Sequence, residues 1–115
     1  MARFSSLNVL TPSGAIGAGE SFSNSVKTEA ARDARVFVDV TAIAGGATLD
    51  VQVQISPDNT TWFDAEGGAF NQIVAVGSSV LAMAEEKIST WLRLKYNRAG
   101  GAITASAKLE VKQGV

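Results

Sequence analysis

The residue types that most enzymes use as nucleophiles and bases are largely missing from this sequence, which contains no histidine and no cysteine. Their absence excludes Ser-His-Asp and Cys-His triads, thiolate zinc sites and disulfides, and leaves Ser/Lys pairs as the remaining nucleophilic arrangement. Every lysine falls on a predicted solvent face or loop, away from the apolar runs that would lower its pKa by desolvation. We therefore predict a protein that is not an enzyme and that uses no cofactor and no metal ion. The lysines concerned are Lys27, Lys87, Lys95, Lys108 and Lys112.

One group of acidic residues has a spacing that carbohydrate chemistry could use. Asp58 and Asp64 flank Trp62 around a predicted hairpin, and Glu66 follows two residues later. An aromatic ring between acids can stack on a pyranose, and paired carboxylates can act as acid and base in glycoside hydrolysis. The alternative is that Asp58 belongs to a turn and that Trp62 alternates into a sheet face. We favour this turn-and-core interpretation, and keep Asp58, Trp62 and Asp64 as candidate glycan contacts.

Two further segments do not fit the motifs that they suggest. The oxygen-bearing side chains between residues 58 and 66 lack the Asp-x-Asx-x-Asx-Gly spacing of a calcium loop. The run Gly14-Ala15-Ile16-Gly17-Ala18-Gly19 lacks the Lys-Ser/Thr of a phosphate-binding loop and precedes no predicted helix. We therefore expect no calcium ion at the first segment and no phosphate at the second, and for the protein as a whole we do not expect a small-molecule ligand.

Charges are distributed unevenly along the chain, although the net charge is only −1. Residues 20–86 carry ten acidic and three basic side chains, a net charge of −7, whereas residues 87–112 carry six basic and one acidic, a net charge of +5. Arg93, Lys95 and Lys108 share the polar faces of the last two predicted strands. They either form a basic stripe that docks an acidic neighbour, such as an identical subunit, or are solvated charges on a wet sheet. The larger acidic region argues against nucleic-acid binding.

Strict alternation of apolar and polar residues indicates the elements that would carry these side chains. Such alternation is typical of half-buried strands, and glycine pairs or a Pro-Asp-Asn turn separate several of the runs. We therefore predict an all-β fold, an antiparallel β-sandwich or flattened barrel that is jelly-roll-like, with about seven or eight short strands. The clearest runs span residues 35–43, 48–56, 91–97 and 103–111, and weaker ones span residues 20–26, 62–65, 70–76 and 79–84.

The first 19 residues differ in composition from the rest of the 115-residue chain, because they are small, Gly- and Ser-rich and almost uncharged. We predict an extended N-terminal arm over residues 1–19, with one short strand at Leu7–Leu10, and a single β-sandwich domain over residues 20–115. No signal peptide and no apolar run long enough to cross a bilayer is visible. We therefore expect a soluble protein, made in the cytoplasm, with no membrane partner.

Several large apolar residues fall where the pattern predicts exposure. Phe37, Ile43 and Trp91 lie opposite the cleanest apolar rows. Since a two-layer sandwich buries only one face of each sheet, these residues need either a cover or a register shift at a bulge. We predict Phe37 and Trp91 as interface residues, because aromatic side chains are enriched in interface cores. Three apolar residues of the arm complete the candidate interface: Phe4, Leu7 and Val9.

A family resemblance rests on the order of the runs. Residues 36–42 read VFVDVTA, residues 49–56 read LDVQVQIS after a Gly-Gly turn, residues 58–62 read DNTTW, and residues 91–96 read WLRLKY before a closing Gly-Gly hairpin. This order resembles that of small β-sandwich virion proteins of tailed bacteriophages, and among these the capsid decoration, or cement, protein.

The resemblance implies a structural protein on the exterior of the virion that binds the major capsid protein and stabilises contacts between its subunits. It also implies a homo-oligomer, with a trimer favoured, and a part for the arm in capsid binding, so that deletion of residues 2–19 would leave the fold intact but abolish capsid binding. No functional residue carries over, since the family has no motif to match. The alternatives are another virion structural protein, such as a head–tail connector or tail component, and a carbohydrate-binding module that uses Trp62.

Overall fold

The computed structural model describes residues 3–29 and 31–114 of the chain, and the side chains of residues 6–29 and 31–112. The described residues form nine strands and one 3₁₀ turn, Glu85–Lys87. The strands are β1 (Arg3–Ala15), β2 (Gly19–Phe22), β3 (Val26–Lys27), β4 (Asp33–Ile43), β5 (Thr48–Ser56), β6 (Phe63–Ala69), β7 (Gly77–Ala84), β8 (Trp91–Ala99) and β9 (Ile103–Gly114).

These strands form two antiparallel sheets. The first sheet has the strand order β1-β9-β4-β7, and the second has the order β2-β8-β5-β6, with the short β3 also pairing with β8. The predicted fold class, an antiparallel β-sandwich, is confirmed. The weak run at residues 20–26 divides into β2 and β3, and the first residues add β1. The predicted strand at residues 70–76 is wrong, because this segment forms only an isolated bridge between Ile73 and Leu49, so the total is nine.

The core lies between the two sheets, and the four clearest alternating runs supply most of it. They form β4, β5, β8 and β9, the long strands at or near the centre of each sheet. Their apolar positions bury large aliphatic groups at a period of two residues, which removes the most apolar surface from water. The buried residues from these strands are Ala34, Val36, Val38, Val40, Leu49, Val51, Val53, Leu92, Leu94, Tyr96, Ile103, Ala105, Ala107, Leu109 and Val111.

A β-bulge near the end of β4 changes which of its residues face the core. The pairing of β4 with β9 shifts register between Val40 and Ala42. Ala42 is consequently exposed, whereas Ile43 lies opposite the buried Ile103 and packs against the core. The pattern therefore assigns Ala42 and Ile43 to the wrong faces, because one extra residue at a bulge inverts the alternation beyond it.

Two glycines that the sequence places in a turn lie inside a strand. Gly67 and Gly68 belong to β6, whose pairing with β5 shifts register between Gln52 and Gln54. Gly67 has a φ of 69°, and a Cβ on Gly68 would lie 2.9 Å from the Cβ of Val53. These glycines therefore allow an irregular strand to approach β5 closely instead of reversing the chain.

The N-terminal segment is extended, as expected, but most of it is an edge strand of the sandwich. β1 pairs with β9 from Arg3 opposite Gly114 to Ala15 opposite Thr104. Leu10 is fully buried and Ile16 nearly so, and both belong to the core. The strand is thus much longer than the expected Leu7–Leu10, because β9 satisfies its backbone groups and two apolar side chains anchor it.

Candidate interaction surfaces

The outer face of the first sheet carries a row of side chains that crosses all four strands. Val9 lies opposite Lys108, which lies opposite Phe37, which in turn lies opposite Val80. Leu7 lies beside Val9, because side chains two residues apart on a strand share a face. Leu7 is 62% exposed, Val9 51% and Val80 56%, while Phe37 is half-buried. We call these five residues the first-sheet face.

A shallow depression of about 380 Å³ lies on the first-sheet face. Among its charged residues is Asp39, which accepts a 3.0 Å hydrogen bond from the Ser78 hydroxyl and lies opposite Ser106. The other carboxylate of the depression, Glu110, occupies a backbone position four residues beyond Ser106 on β9, about 13 Å further along at roughly 3.3 Å per residue. The depression thus combines apolar residues with charges of both signs, which suits a contact surface.

The outer face of the second sheet carries a guanidinium held between two aromatic rings. The Cζ of Arg93 lies 4.0 Å from the ring centroid of Phe22 and 4.3 Å from that of Trp62. Its Nε donates a 2.9 Å hydrogen bond to Oε1 of Gln54, and Nε2 of Gln54 donates a 3.0 Å bond to Oδ1 of Asp64. Burial lowers the pKa of Arg93. We call these five residues the arginine cluster.

Strand pairing places the members of the arginine cluster side by side. Arg93 of β8 lies opposite Gln54 of β5, and Gln54 lies opposite Asp64 of β6. Trp62 precedes β6 directly, and Phe22 ends β2 on the other side of β8. The cluster therefore depends on three different strand contacts and is a product of the tertiary fold.

Trp91 and Lys95 lie on the same outer face as the arginine cluster. The ammonium group of Lys27 lies 5.9 Å from the ring centroid of Trp91 and forms a 3.1 Å ion pair with Glu29. Lys95 lies opposite Phe22 on one side and Gln52 on the other. Both residues are half-buried, because neighbouring strands flank them.

The structure divides the candidate interface residues between the two outer faces of the sandwich. The predicted basic stripe is not continuous, because β8 and β9 lie in different sheets and Lys108 therefore faces away from Arg93 and Lys95. The side chain of Phe4 lies outside the described residues. The first face holds Leu7, Val9, Phe37 and Lys108, and the second holds Trp91, Arg93 and Lys95.

The candidate glycan residues make their polar contacts within the protein. Oδ1 of Asp58 accepts hydrogen bonds from the backbone N–H groups of Thr60 (2.9 Å) and Thr61 (2.8 Å), and from the hydroxyl of Ser56 (3.0 Å). The N–H donors of Thr61 and Thr60, followed by the Ser56 hydroxyl, lower the pKa of Asp58. This geometry is that of an Asx turn, and it supports the turn interpretation of Asp58.

The lowered pKa of Asp58 predicts a specific loss of stability in acid. A carboxylate whose pKa is lower in the folded state than in the unfolded state stabilises the protein at pH values above its ordinary pKa, which is 3.8 for Asp58. This stabilisation disappears as the pH falls through the lower pKa of the folded state. Asp58→Asn keeps an acceptor oxygen but does not titrate. We expect the free energy of unfolding to decrease less for this variant than for the wild type between about pH 6 and pH 2.5.

Urea unfolding at the two pH values measures this difference. Asp50→Asn is the matched control, since Asp50 accepts one hydrogen bond, 3.1 Å long, from the Gln72 amide. A stability difference between wild type and Asp58→Asn that does not change with pH would contradict the role given to this carboxylate.

The described residues contain neither a cluster of metal-ligating side chains nor a membrane-spanning helix. Across residues 3–29 and 31–114, no three acidic side chains converge in a way that could hold a metal ion. The same part of the chain has no helix with the length and apolarity needed to cross a bilayer.

The architecture defines this chain as an antiparallel β-sandwich with apolar residues exposed on an outer sheet face. No family model matches the sequence, and no curated protein matches it. Solved structures of similar fold include the following three. The SPBc2 prophage-derived protein YomS has a TM-score of 0.70 at 8% identity, with 98% of this chain and 96% of that chain covered.

Two longer proteins contain a similar unit. The PBSX exported protein XepA matches with a TM-score of 0.70 at 12% identity, over 96% of this chain and 38% of that one. VP2 in a subviral particle of infectious bursal disease virus matches with a TM-score of 0.63 at 14% identity, over 96% of this chain and 33% of that one. At these identities the likeness of these three proteins, two from prophages and one from a virus, shows a shared fold alone.

Proposed function

We propose that this protein is a structural component of a phage virion, which binds the outside of the capsid and stabilises contacts between major capsid subunits. The first-sheet face makes the contact. Prophage and viral proteins with the same fold support the general role, and the resemblance to decoration proteins supports the finer one. A fold alone does not determine a function, so the argument depends on the surface itself.

The observation that carries the proposal is the exposed apolar row on the first-sheet face. Leu7, Val9 and Val80 each expose about half of their surface or more beside the ring of Phe37. Apolar residues clustered on one face are typical of a surface that binds another protein. Lys108 and the surrounding charges would form the polar rim that such interfaces have.

The edge strands of the first sheet are a second reason to propose that this protein binds other chains. β1 and β7 are its edge strands, and unpaired edge strands promote association with other chains. A capsid surface or a symmetric oligomer would cover these edges. Many copies, each binding with modest affinity, would shift the capsid toward its assembled state by mass action.

The direct test is to examine particles of the phage whose genome carries this gene. Quantitative mass spectrometry of purified particles should detect the chain in many copies, and immunogold labelling should place it on the head. Label on the tail or at the head–tail junction would overturn the decoration role in favour of a connector or tail component. Absence from the particles would overturn the virion role altogether.

The oligomeric state is a separate proposal. We propose a homo-oligomer, with a trimer favoured, as the resemblance to decoration proteins implies. Light scattering of the purified protein measures its mass in solution, and a mass three times that of the 11.9 kDa chain is expected. A monomer at all concentrations tested, both free and with capsids added, would contradict it.

A further inference from the structure

The arginine cluster presents hydrogen-bond donors that the rest of the described chain does not use. A guanidinium has five N–H donors. Within the described residues, Arg93 forms one hydrogen bond, through Nε to Gln54, and no ion pair. The four N–H groups on its terminal nitrogens are therefore available to solvent or to a ligand.

The cluster also holds this guanidinium in place. The ring centroids of Phe22 and Trp62 lie 4.0 and 4.3 Å from its Cζ. Gln54, which is 7% exposed, accepts a hydrogen bond from Nε. An arginine that is already ordered loses less side-chain entropy when it binds, so each new hydrogen bond contributes more to affinity.

We propose that the arginine cluster binds a carboxylate, presented by an Asp or Glu side chain of a protein partner. A planar carboxylate can accept two parallel hydrogen bonds from the terminal nitrogens of Arg93. The site does not depend on the proposed capsid contact, because the arginine cluster lies on the opposite outer face of the sandwich from the first-sheet face.

Local charge favours a carboxylate over a more highly charged anion. Asp64 is hydrogen-bonded to Gln54 within the cluster. The negative charge of Glu20 raises the pKa of Arg93 and so offsets part of the decrease that burial causes. These carboxylates would repel a dianionic phosphate more strongly than a singly charged group.

The aromatic rings favour a protein as the source of the carboxylate. Phe22 remains 47% exposed beside Arg93 and offers apolar area to a partner side chain. Arginine and tryptophan together are the residue types that most often dominate protein–protein binding energy. An acidic sugar, the other source of a carboxylate, is tested separately.

Titration of ¹⁵N-labelled protein, followed by NMR, tests the proposal. The probe is an acetylated, amidated tri-glutamate peptide, and the matched control is the tri-glutamine peptide. We expect the Nε–H signal of Arg93 and the indole N–H signal of Trp62 to shift saturably with tri-glutamate only. Arg93→Lys keeps the charge but removes the planar donors, and should weaken binding at least about tenfold. Lys95→Gln, which removes a charge from the same strand, should weaken it less than about threefold.

Each outcome of the titration decides for or against the site. Equal shifts with tri-glutamine, or no saturation with tri-glutamate, would overturn the proposal from wild-type data alone. Undiminished binding by Arg93→Lys, with an otherwise unchanged spectrum, would overturn the role of the guanidinium. Binding of glucuronate without binding of tri-glutamate would overturn the assignment to a protein partner.

Discussion

Deletion of residues 2–16 is expected to abolish stable folding of this protein. The deletion removes β1 and with it Leu10 and Ile16, two apolar side chains of the core. Loss of one buried leucine side chain typically costs about 2–5 kcal/mol, and domains of this size are stable by about 5–15 kcal/mol. The deletion would also expose the backbone groups of β9 that β1 now pairs.

Links between β1 and the second sheet add to this expected loss. The hydroxyls of Thr11 and Tyr96 lie 2.6 Å apart, and Arg98 donates a 2.8 Å hydrogen bond to the carbonyl of Ile16. Tyr96 is buried, and burial raises its pKa to about 12. Without Thr11, this buried hydroxyl would lose its hydrogen-bond partner, which costs about 1–3 kcal/mol.

Circular dichroism and urea unfolding of the truncated chain measure the effect. A shorter deletion of residues 2–6 is the control, because it leaves Leu10, Thr11 and Ile16 in place and should still unfold cooperatively. If the chain lacking residues 2–16 unfolded at the same urea concentration as the full chain, β1 would be a separable arm, as the sequence alone suggests.

Val80→Asp is expected to prevent binding to the capsid while leaving the fold intact. Val80 is 56% exposed on an edge strand, so a carboxylate there is tolerated by the free protein. In a complex through the first-sheet face, the same carboxylate would be buried without a partner. Val80 can bury only about half of its surface on binding, so the lost valine burial is worth roughly 1 kcal/mol, and the buried unpaired carboxylate adds to this loss. The affinity should therefore fall by at least about tenfold.

Val74→Asp is the matched control for this change. Val74 is a valine of similar exposure, 62%, in the segment between β6 and β7 and outside the first-sheet face. Both variants should be added to particles assembled without the protein, and the bound fraction measured after pelleting. Equal binding by Val80→Asp and wild type, or equal loss for both variants, would exclude the first-sheet face as the contact.

The sandwich itself could be predicted from the sequence because its long strands obey a simple period. Over most of β4, β5, β8 and β9, every second residue is apolar and faces the core. Ala42 and Ile43 are exceptions, since a bulge depends on the pairing with β9 and leaves no mark in the local pattern.

β1 was harder to predict because its stability comes from its neighbour. Its residues are mostly small and irregular in pattern, and among its described side chains Leu10 reaches the core, as does Ile16 directly after the strand. The strand forms because β9 satisfies its backbone groups over most of its length. Interactions of this kind are tertiary, and a pattern within one segment does not contain them.

The candidate surfaces could be predicted only in part for the same reason. Sequence reasoning identifies Phe37 as an apolar residue on a polar face, but misses Val80, which joins it only when β7 pairs with β4. The arginine cluster joins Phe22, Gln54 and Arg93, which are far apart in the chain. An aromatic residue at the end of β2 carries no local signal that it will stack on Arg93.

Electron cryomicroscopy of the phage particle tests the central claim most directly, because it shows which face of the sandwich contacts the capsid. We expect density for this chain on the outside of the head, with Leu7, Phe37 and Val80 against capsid subunits and the side chain of Arg93 facing outward. A chain bound through the second sheet, with the first-sheet face exposed to solvent, would contradict the account.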